Sequence, residues 1–306
     1  MKIKFREISL SKSNKKRLEI INTIIEEYQK EGYVLTLRQL YYQLVSRDVI
    51  PNHQKEYKKI SHLLTEGRMA GFVDWDAIED RLRKPSQPAS FNSPGEILSA
   101  AINQYQLPRQ AGQKTYIEVW VEKDALSGVL GRITRKYHIP IMVNRGYSSV
   151  SAMYDSFQRF KNAQENGQNI KIIYLGDYDP SGLDMIRDIT DRTNDFIFGD
   201  VTYNCPGIEF TDFDFSVEAI ALTMDQIRQY NPPPNMAKIT DTRAKDFIDK
   251  NGAQSWEVDA LKPEILNTLL ENAILNNIDF DAYQNIVERE GADRDKLQSL
   301  KQYLQK

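Results

Sequence analysis

The sequence predicts an α/β protein: a helical N-terminal unit, then a parallel sheet with helices on both faces, then a mostly helical C-terminal extension. Three observations predict it. Apolar residues recur at helical spacing in three successive stretches between residues 13 and 70. From Tyr116 the rhythm changes to short apolar runs alternating with helical stretches. Beyond Pro232-Pro-Pro234, residues 241–306 return to a mostly helical pattern.

Residues 13–31 form the first predicted helix, with Leu18, Ile21, Ile24, Ile25 and Tyr28 on one face. Thr36–Ser46 is a second, with Thr36 as its N-cap, and Pro51-Asn52 breaks it. A third runs from about Gln54 to Ala70, with Tyr57, Ile60, Leu63 and Leu64 at helical spacing, and ends at Gly71. Phe72–Ile78 reads as a short strand or wing. Helix, helix, basic helix and wing are the outline of a winged helix-turn-helix, assigned to residues 1–82. Residues 83–114 form a linker rich in Pro, Ser, Gln and Gly, with one connecting helix at 95–105. A sheet domain follows over residues 115–230, with strands at 116–121, 140–144 and 170–176, and shorter ones near 200–204 and 217–223. Its helices fall at 124–137, 150–165 and 183–195; the extension covers residues 231–306.

Composition narrows the function classes. The 306 residues are 41% hydrophobic and 27% charged, ordinary for a soluble globular chain. No apolar run approaches the roughly 18–20 residues of a membrane span. The opening Met1-Lys-Ile-Lys-Phe-Arg6 lacks the apolar core of a secretory signal, so a cytoplasmic location is expected. A lone cysteine, Cys205, leaves no internal disulfide, and with three histidines argues against a His/Cys zinc site. The net charge of −3 conceals an asymmetry: residues 1–84 hold 17 Lys and Arg against 12 Asp and Glu, while the remainder is acidic. A basic first part on an acidic body suits docking onto phosphates, and equally suits a solvated charged surface.

The chemistry concentrates in Lys171-Ile-Ile-Tyr-Leu-Gly-Asp-Tyr-Asp-Pro-Ser-Gly182. A buried strand ends there in Asp177 and Asp179, where open α/β sheets hold their ligands. The strand at 116–121 likewise ends in Glu122. Three carboxylates at one sheet edge would take one or two hard divalent cations, Mg²⁺ or Ca²⁺. Such ions stabilise the attacking and leaving oxygens of a phosphodiester displacement. Other readings stand beside this one. Asp-x-Asp-x-Ser-Gly imitates the start of an EF-hand loop, although a strand precedes it, Pro180 interrupts it and position twelve is Asp188. An aspartyl-nucleophile phosphatase would leave Glu122 idle. The plainest alternative is a helix start capped by Asp179 or Ser181.

Glu122-Lys123 ending one strand and Asp177-Tyr-Asp179-Pro-Ser-Gly182 ending another resemble the Toprim domain of topoisomerases, primases and related nucleases. Arg38-Gln-Leu-Tyr-Tyr42 resembles the catalytic-tyrosine motif of the topoisomerase VI A subunit and its meiotic double-strand-break relatives. Arg145-Gly-Tyr-Ser-Ser149 and Trp256-Glu-Val-Asp-Ala-Leu261 resemble two further segments of that family, and the similarity spans roughly residues 33–275. After Tyr42 the chain departs from the family, running Gln43-Leu-Val-Ser46 without the Phe-x-x-Gln continuation.

The resemblance implies a Rossmann-like Toprim domain and a Mg²⁺-dependent homodimer that cleaves double-stranded DNA. Glu122, Asp177 and Asp179 would be the metal ligands and Tyr42 the nucleophile, leaving a 5′-phosphotyrosyl end. In that family the tyrosine of one protomer works with the metal site of the other. Arg38, four residues before Tyr42 on one helical face, would hold the phosphate under attack. Tyr41 reads as core and Tyr42, about 100° further round the helix, as the reactive one. Lys55, Lys58, Lys59 and Arg68 on the third helix, with Arg145 and Tyr147 after a strand end, are the candidate DNA contacts. Each set also has a bland reading, a solvated helix face or a plain turn. Lys123 either orients phosphate or tempers the acids' repulsion, and Glu257 and Asp259 either reach the metal edge or serve as capping or salt-bridging residues. Two rival functions remain: a hydrolytic Toprim nuclease with a structural Tyr42, and a non-catalytic winged-helix DNA-binding protein. The chain shows no Gly-x-x-x-x-Gly-Lys-Ser/Thr loop, so strand passage would require a separate ATPase subunit.

Overall fold

Five spans of the computed structural model are described: residues 1–79, 88–144, 146–199, 214–236 and 243–304. The chain opens with α1 (Lys12–Lys30), whose buried face is Leu18, Ile21, Ile24, Ile25 and Tyr28, the stripe expected from spacing. It continues through α2 (Leu37–Ser46) and α3 (Gln54–Met69). Thr36 and Gln39 form a reciprocal capping box that starts α2. These helices enclose one apolar core, with Tyr41, Tyr42, Leu44 and Val73 inside it. The strand or wing expected over 72–78 is instead a turn leading to a 3₁₀ turn at Trp75–Ala77. Asp74 causes the difference: its side chain accepts the Asp76 N–H at 2.8 Å, drawing the backbone into a turn. Extended pairing there is limited to single bridges, Lys4 with Ala70 and Leu35 with Ile78.

After α4 (Pro94–Gln104) comes the sheet, with elements in the order β1 (Thr115–Val121), α5 (Asp124–Tyr137), β2 (Ile141–Val143), α6 (Val150–Glu165), β3 (Asn169–Leu175), α7 (Pro180–Gly199) and β4 (Phe215–Ala221). The four strands are all parallel, in the spatial order β2-β1-β3-β4. The strand expected near 200–204, like Cys205, lies outside the described residues. Alternation along β1 and β3 sends Ile117, Val119, Val121, Ile173 and Leu175 to one face and Trp120, Ile170, Ile172 and Tyr174 to the other. Helix α5 covers the first face, and α6 and α7 cover the second. Both faces are therefore covered, which is why these strands read as largely apolar runs. Two charged groups break the pattern: fully buried Glu118 is held by Arg159 (2.6 and 2.9 Å) and by the Trp120 indole N–H (2.9 Å), and half-buried Lys171 pairs with Glu218 at 2.9 Å.

Beyond β4 follow α8 (Met224–Tyr230), β5 (Asn235–Met236), α9 (Ala244–Asn251), β6 (Gln254–Ser255), α10 (Pro263–Leu275) and α11 (Phe280–Leu304). Leu266, Leu270 and Ile274 of α10 join the core on the α5 face, so this part of the extension shares the sheet's core. Helix α11 runs against α4, and Arg109 and Arg294 pair there with nearly buried Glu290 at 3.0 Å. Among the described residues, no helix is long and apolar enough to cross a membrane.

The topology fixes where a ligand would sit. The connection from β1 leads outward to β2, and the connection from β3 leads outward the other way to β4. The crevice between the carboxyl ends of β1 and β3 is the switch point of the sheet, where open α/β folds bind their ligands.

Candidate functional site

Glu122, Asp177 and Asp179 stand at that switch point. Val121 is paired with Leu175, so the residues following β1 and β3 leave the sheet side by side. The Glu122 carboxylate accepts the Asp177 backbone N–H at 2.9 Å. Asp177, 8% exposed, accepts the Val258 N–H through Oδ1 at 2.9 Å. Asp179 accepts the Gly182 N–H at 2.7 Å and thereby caps α7. Pro180 takes the first helical position, where its missing N–H costs nothing, so α7 starts three residues earlier than the apolar pattern predicts. A Cβ on Gly182 would come within 2.2 Å of the Asp177 carbonyl oxygen; only glycine permits so close a first turn.

A distant segment completes the rim. Trp256 pairs with Tyr178 as an isolated antiparallel bridge, with backbone bonds of 2.8 and 3.0 Å. This pairing carries Glu257 and Asp259 to the acids. Lys123 lies among them, its ammonium 2.7 Å from Asp177, 2.9 Å from Glu257 and 3.0 Å from Asp259. From α2, Arg38 donates to Asp259 at 2.8 Å and also to Glu257. Tyr42 and Glu257 line the same cavity, and the Arg38 guanidinium lies 5.7 Å from the Tyr42 ring centre.

Burial and charge pull these groups in opposite directions. Burial pushes the Asp177 carboxyl up to about 7 against the pull of Lys123. Burial likewise raises Glu122, and the nearby Asp179 charge adds to it. Glu257 goes the other way: burial opposes its ionisation, but Lys123 and Arg38 hold it at about 2. Burial works against the Lys123 charge, and Asp259, Asp177 and Glu257 more than compensate. The Tyr42 phenol is pushed well above its usual range, first by burial and then by the Glu257 and Asp259 charges.

Tyr42, Arg38, Asp177, Asp179 and Glu257 line one cavity of about 560 Å³, together with Tyr41, Asn52 and Trp256. Both tyrosines are nearly buried. Tyr41 is anchored through its hydroxyl to Asn52 (3.1 Å) and the His53 carbonyl (3.2 Å), and Asn52 in turn bonds Asn235 at 2.7 Å. Among the candidate DNA contacts, Lys55, Lys58 and Lys59 lie exposed on α3, with Lys59 paired to Glu56 at 2.6 Å. Arg68 is turned inward onto the 3₁₀ turn, donating to the Trp75 and Ile78 carbonyls, with its guanidinium 4.9 Å from the Trp75 ring centre. Tyr147, 43% exposed, donates to Asp184 at 2.6 Å. Arg145 lies outside the described residues.

The ties made by Lys123, Glu257 and Asp259 were not legible from spacing. Asn52 and Asn235 had no signal at all. In Trp256-Glu-Val-Asp-Ala, the alternation of apolar and acidic residues was the one hint of an extended segment with two acids on the same side.

Each carboxylate expected to bind metal is turned to a protein partner: Glu122 to the Asp177 amide, Asp177 to Lys123 and Val258, and Asp179 to the Gly182 amide. Among the described residues no three His, Cys, Asp or Glu side chains already form a ligand set. The donor chemistry nevertheless fits a hard divalent cation. Three carboxylates rise from adjoining strand ends, and the Glu122 charge is disfavoured by Asp179 and that of Asp177 by Glu122, strain that added positive charge relieves. No protein-family model, curated protein sequence or solved structure matches the chain, so its functional reading rests on these residues.

Proposed function

We propose that this chain cuts the backbone of double-stranded DNA by transesterification, with Tyr42 as the nucleophile. The observation carrying the proposal is that Tyr42 and Arg38, from the N-terminal helices, open into the same cavity as Asp177 and Asp179 at the sheet's switch point. In the reaction the Tyr42 oxygen forms a bond to phosphorus as the bond from phosphorus to the 3′-oxygen breaks. The phenol gives up a proton and the 3′-oxygen gains one, so no water is consumed. Arg38 presents a planar donor fork to the phosphate under attack. The chemistry Mg²⁺ supplies when held by Glu122, Asp177 and Asp179 is stabilisation of negative charge on the phosphate oxygens. Exposed Lys55, Lys58 and Lys59 would meet neighbouring phosphates.

The shared cavity favours a site that one chain completes, whereas the resemblance implied a tyrosine lent by a partner. A homodimer remains part of the proposal as the means of cutting both strands, and a separate ATPase subunit as the means of strand passage. A DNA-associated, cytoplasmic setting goes with the same reading.

One observation favours a hydrolytic nuclease instead: the Tyr42 phenol is buried and strongly disposed to keep its proton. Plasmid DNA incubated with the protein and Mg²⁺, then resolved by denaturing electrophoresis with and without protease, separates the two. Transesterification leaves protein attached to 5′ ends, and both Tyr42→Phe and Asp177→Asn are inactive. Hydrolysis leaves no adduct and an active Tyr42→Phe. No cleavage with any divalent metal would sink both readings.

A further inference from the structure

We propose that Arg38 and Lys123 frame a subsite for a single backbone phosphodiester, and that in the unliganded chain the Glu257 carboxylate fills it as an intramolecular stand-in. The inference rests on DNA being the substrate and goes beyond that reading by assigning a gate. One oxygen, Glu257 Oε2, accepts from both Lys123 Nζ, at 2.9 Å, and Arg38 Nη2. A negatively charged oxygen held between an ammonium and a guanidinium is the position a non-bridging phosphate oxygen takes.

The two acids bound to these cations are not equivalent. The Asp259 side chain is wholly buried in a 3₁₀ turn and bonds both cations, at 2.8 Å to Arg38 and 3.0 Å to Lys123. It is the fixed counter-charge. The Glu257 side chain keeps 24% of its surface exposed and lies on the cavity wall, and its other oxygen is 3.4 Å from the Asn235 amide. Glu257 can swing away where Asp259 cannot. A phosphodiester carries one negative charge, as Glu257 does, so the exchange leaves the net charge of the subsite unchanged. Because Tyr42, Arg38 and Glu257 line one cavity, withdrawal of Glu257 as a phosphate seats on Arg38 also clears the approach to the phenol. The gate thus couples substrate arrival to exposure of the nucleophile.

The test is fluorescence anisotropy of a labelled blunt DNA duplex with the full-length chain in EDTA, so that metal plays no part. The variants are Glu257→Gln, Glu257→Asp, Arg38→Ala and the Arg38→Ala/Glu257→Gln double variant. Glu257→Gln removes the charge at nearly constant shape; Glu257→Asp keeps the charge but withdraws it by one methylene, and serves if the first does not fold. Emptying a subsite that is filled most of the time tightens apparent affinity by the inverse of the competent fraction, here about tenfold. That gain is expected in Glu257→Gln, in part in Glu257→Asp, and not when Arg38 is absent. Equal or weaker binding by both Glu257 single variants overturns the gate and leaves Glu257 as a structural tie. A gain that persists without Arg38 also overturns it, because it reports general charge removal. If wild type binds and cleaves DNA while the variants bind no tighter, the gate alone falls. If no form binds duplex, the DNA reading falls with it.

Discussion

Replacing Lys123 by Met keeps the length and most of the volume of the side chain while removing the cation on which three acids converge. In the wild type its ammonium lies 2.7, 2.9 and 3.0 Å from Asp177, Glu257 and Asp259, and the Asp259 side chain has no exposed surface. Removing one partner of a buried ion pair typically costs about 3–5 kcal/mol. Two features reduce the loss here. Arg38 continues to pair with Glu257 and Asp259. Asp177, already raised to about 7, can take up a proton in place of its lost partner. The expected loss is therefore about 2–4 kcal/mol at about pH 8. It shrinks to about 1–2 kcal/mol at about pH 5.5, where Asp177 is protonated in the wild type as well and the pair with Lys123 contributes less. Urea unfolding followed by circular dichroism, in EDTA at both pH values, measures the difference. A loss below about 1 kcal/mol at the higher pH, or one that does not change with pH, would refute the view that this cation holds the rim together.

Gly182→Ala puts a methyl group 2.2 Å from the Asp177 carbonyl oxygen, a backbone atom with little room to move. The expected cost is about 2–3 kcal/mol, seen as a lowered thermal midpoint, and a neutral result would mean that α7 starts differently. His138 provides a pH dependence away from the acids. Burial, then the Arg109 charge, lowers its pKa, so between its folded and ordinary values the unfolded chain binds the extra proton. Stability from this group is present above its ordinary value and is lost as pH falls through the lowered one. His138→Asn, suited to the left-handed backbone there (φ 52°), should flatten that slope in urea midpoints taken across this range, and an unchanged slope would count against it. Finally, Tyr42→Phe and Asp177→Asn, each inactive alone, should stay inactive when co-refolded, because one chain supplies both groups. Recovered cleavage would show that tyrosine and acids come from different chains.

Legibility in the sequence followed the range of the interactions. The face of α1 could be named residue by residue because a helix repeats its environment every few positions. The alternation of strands and helices from Tyr116 was readable for the same reason, and so was the convergence of Glu122 with Asp177, which parallel pairing of β1 and β3 delivers. Phe72–Ile78 misled because its composition suits a strand while Asp74 turns the backbone through a hydrogen bond that no periodicity encodes. Asp179 was legible twice over, as a candidate ligand and as a cap, and in this structure it is engaged as the cap. The tie of Lys123 to Glu257 and Asp259 was not legible, because it depends on a single β-bridge between Tyr178 and Trp256, far apart in the chain.

That bridge has a consequence for the order in which the molecule is made. Asp177 and the Val258 amide that satisfies it are separated by 81 residues. At typical translation rates, the aspartate leaves the ribosome roughly ten seconds before its amide does. Over that interval the nascent sheet holds an acidic crest whose last donors have yet to be synthesised, and Lys123 is its early counter-ion. The acidic rim is thus among the last parts of the chain to close, after the N-terminal helices and the inner strands have had time to form.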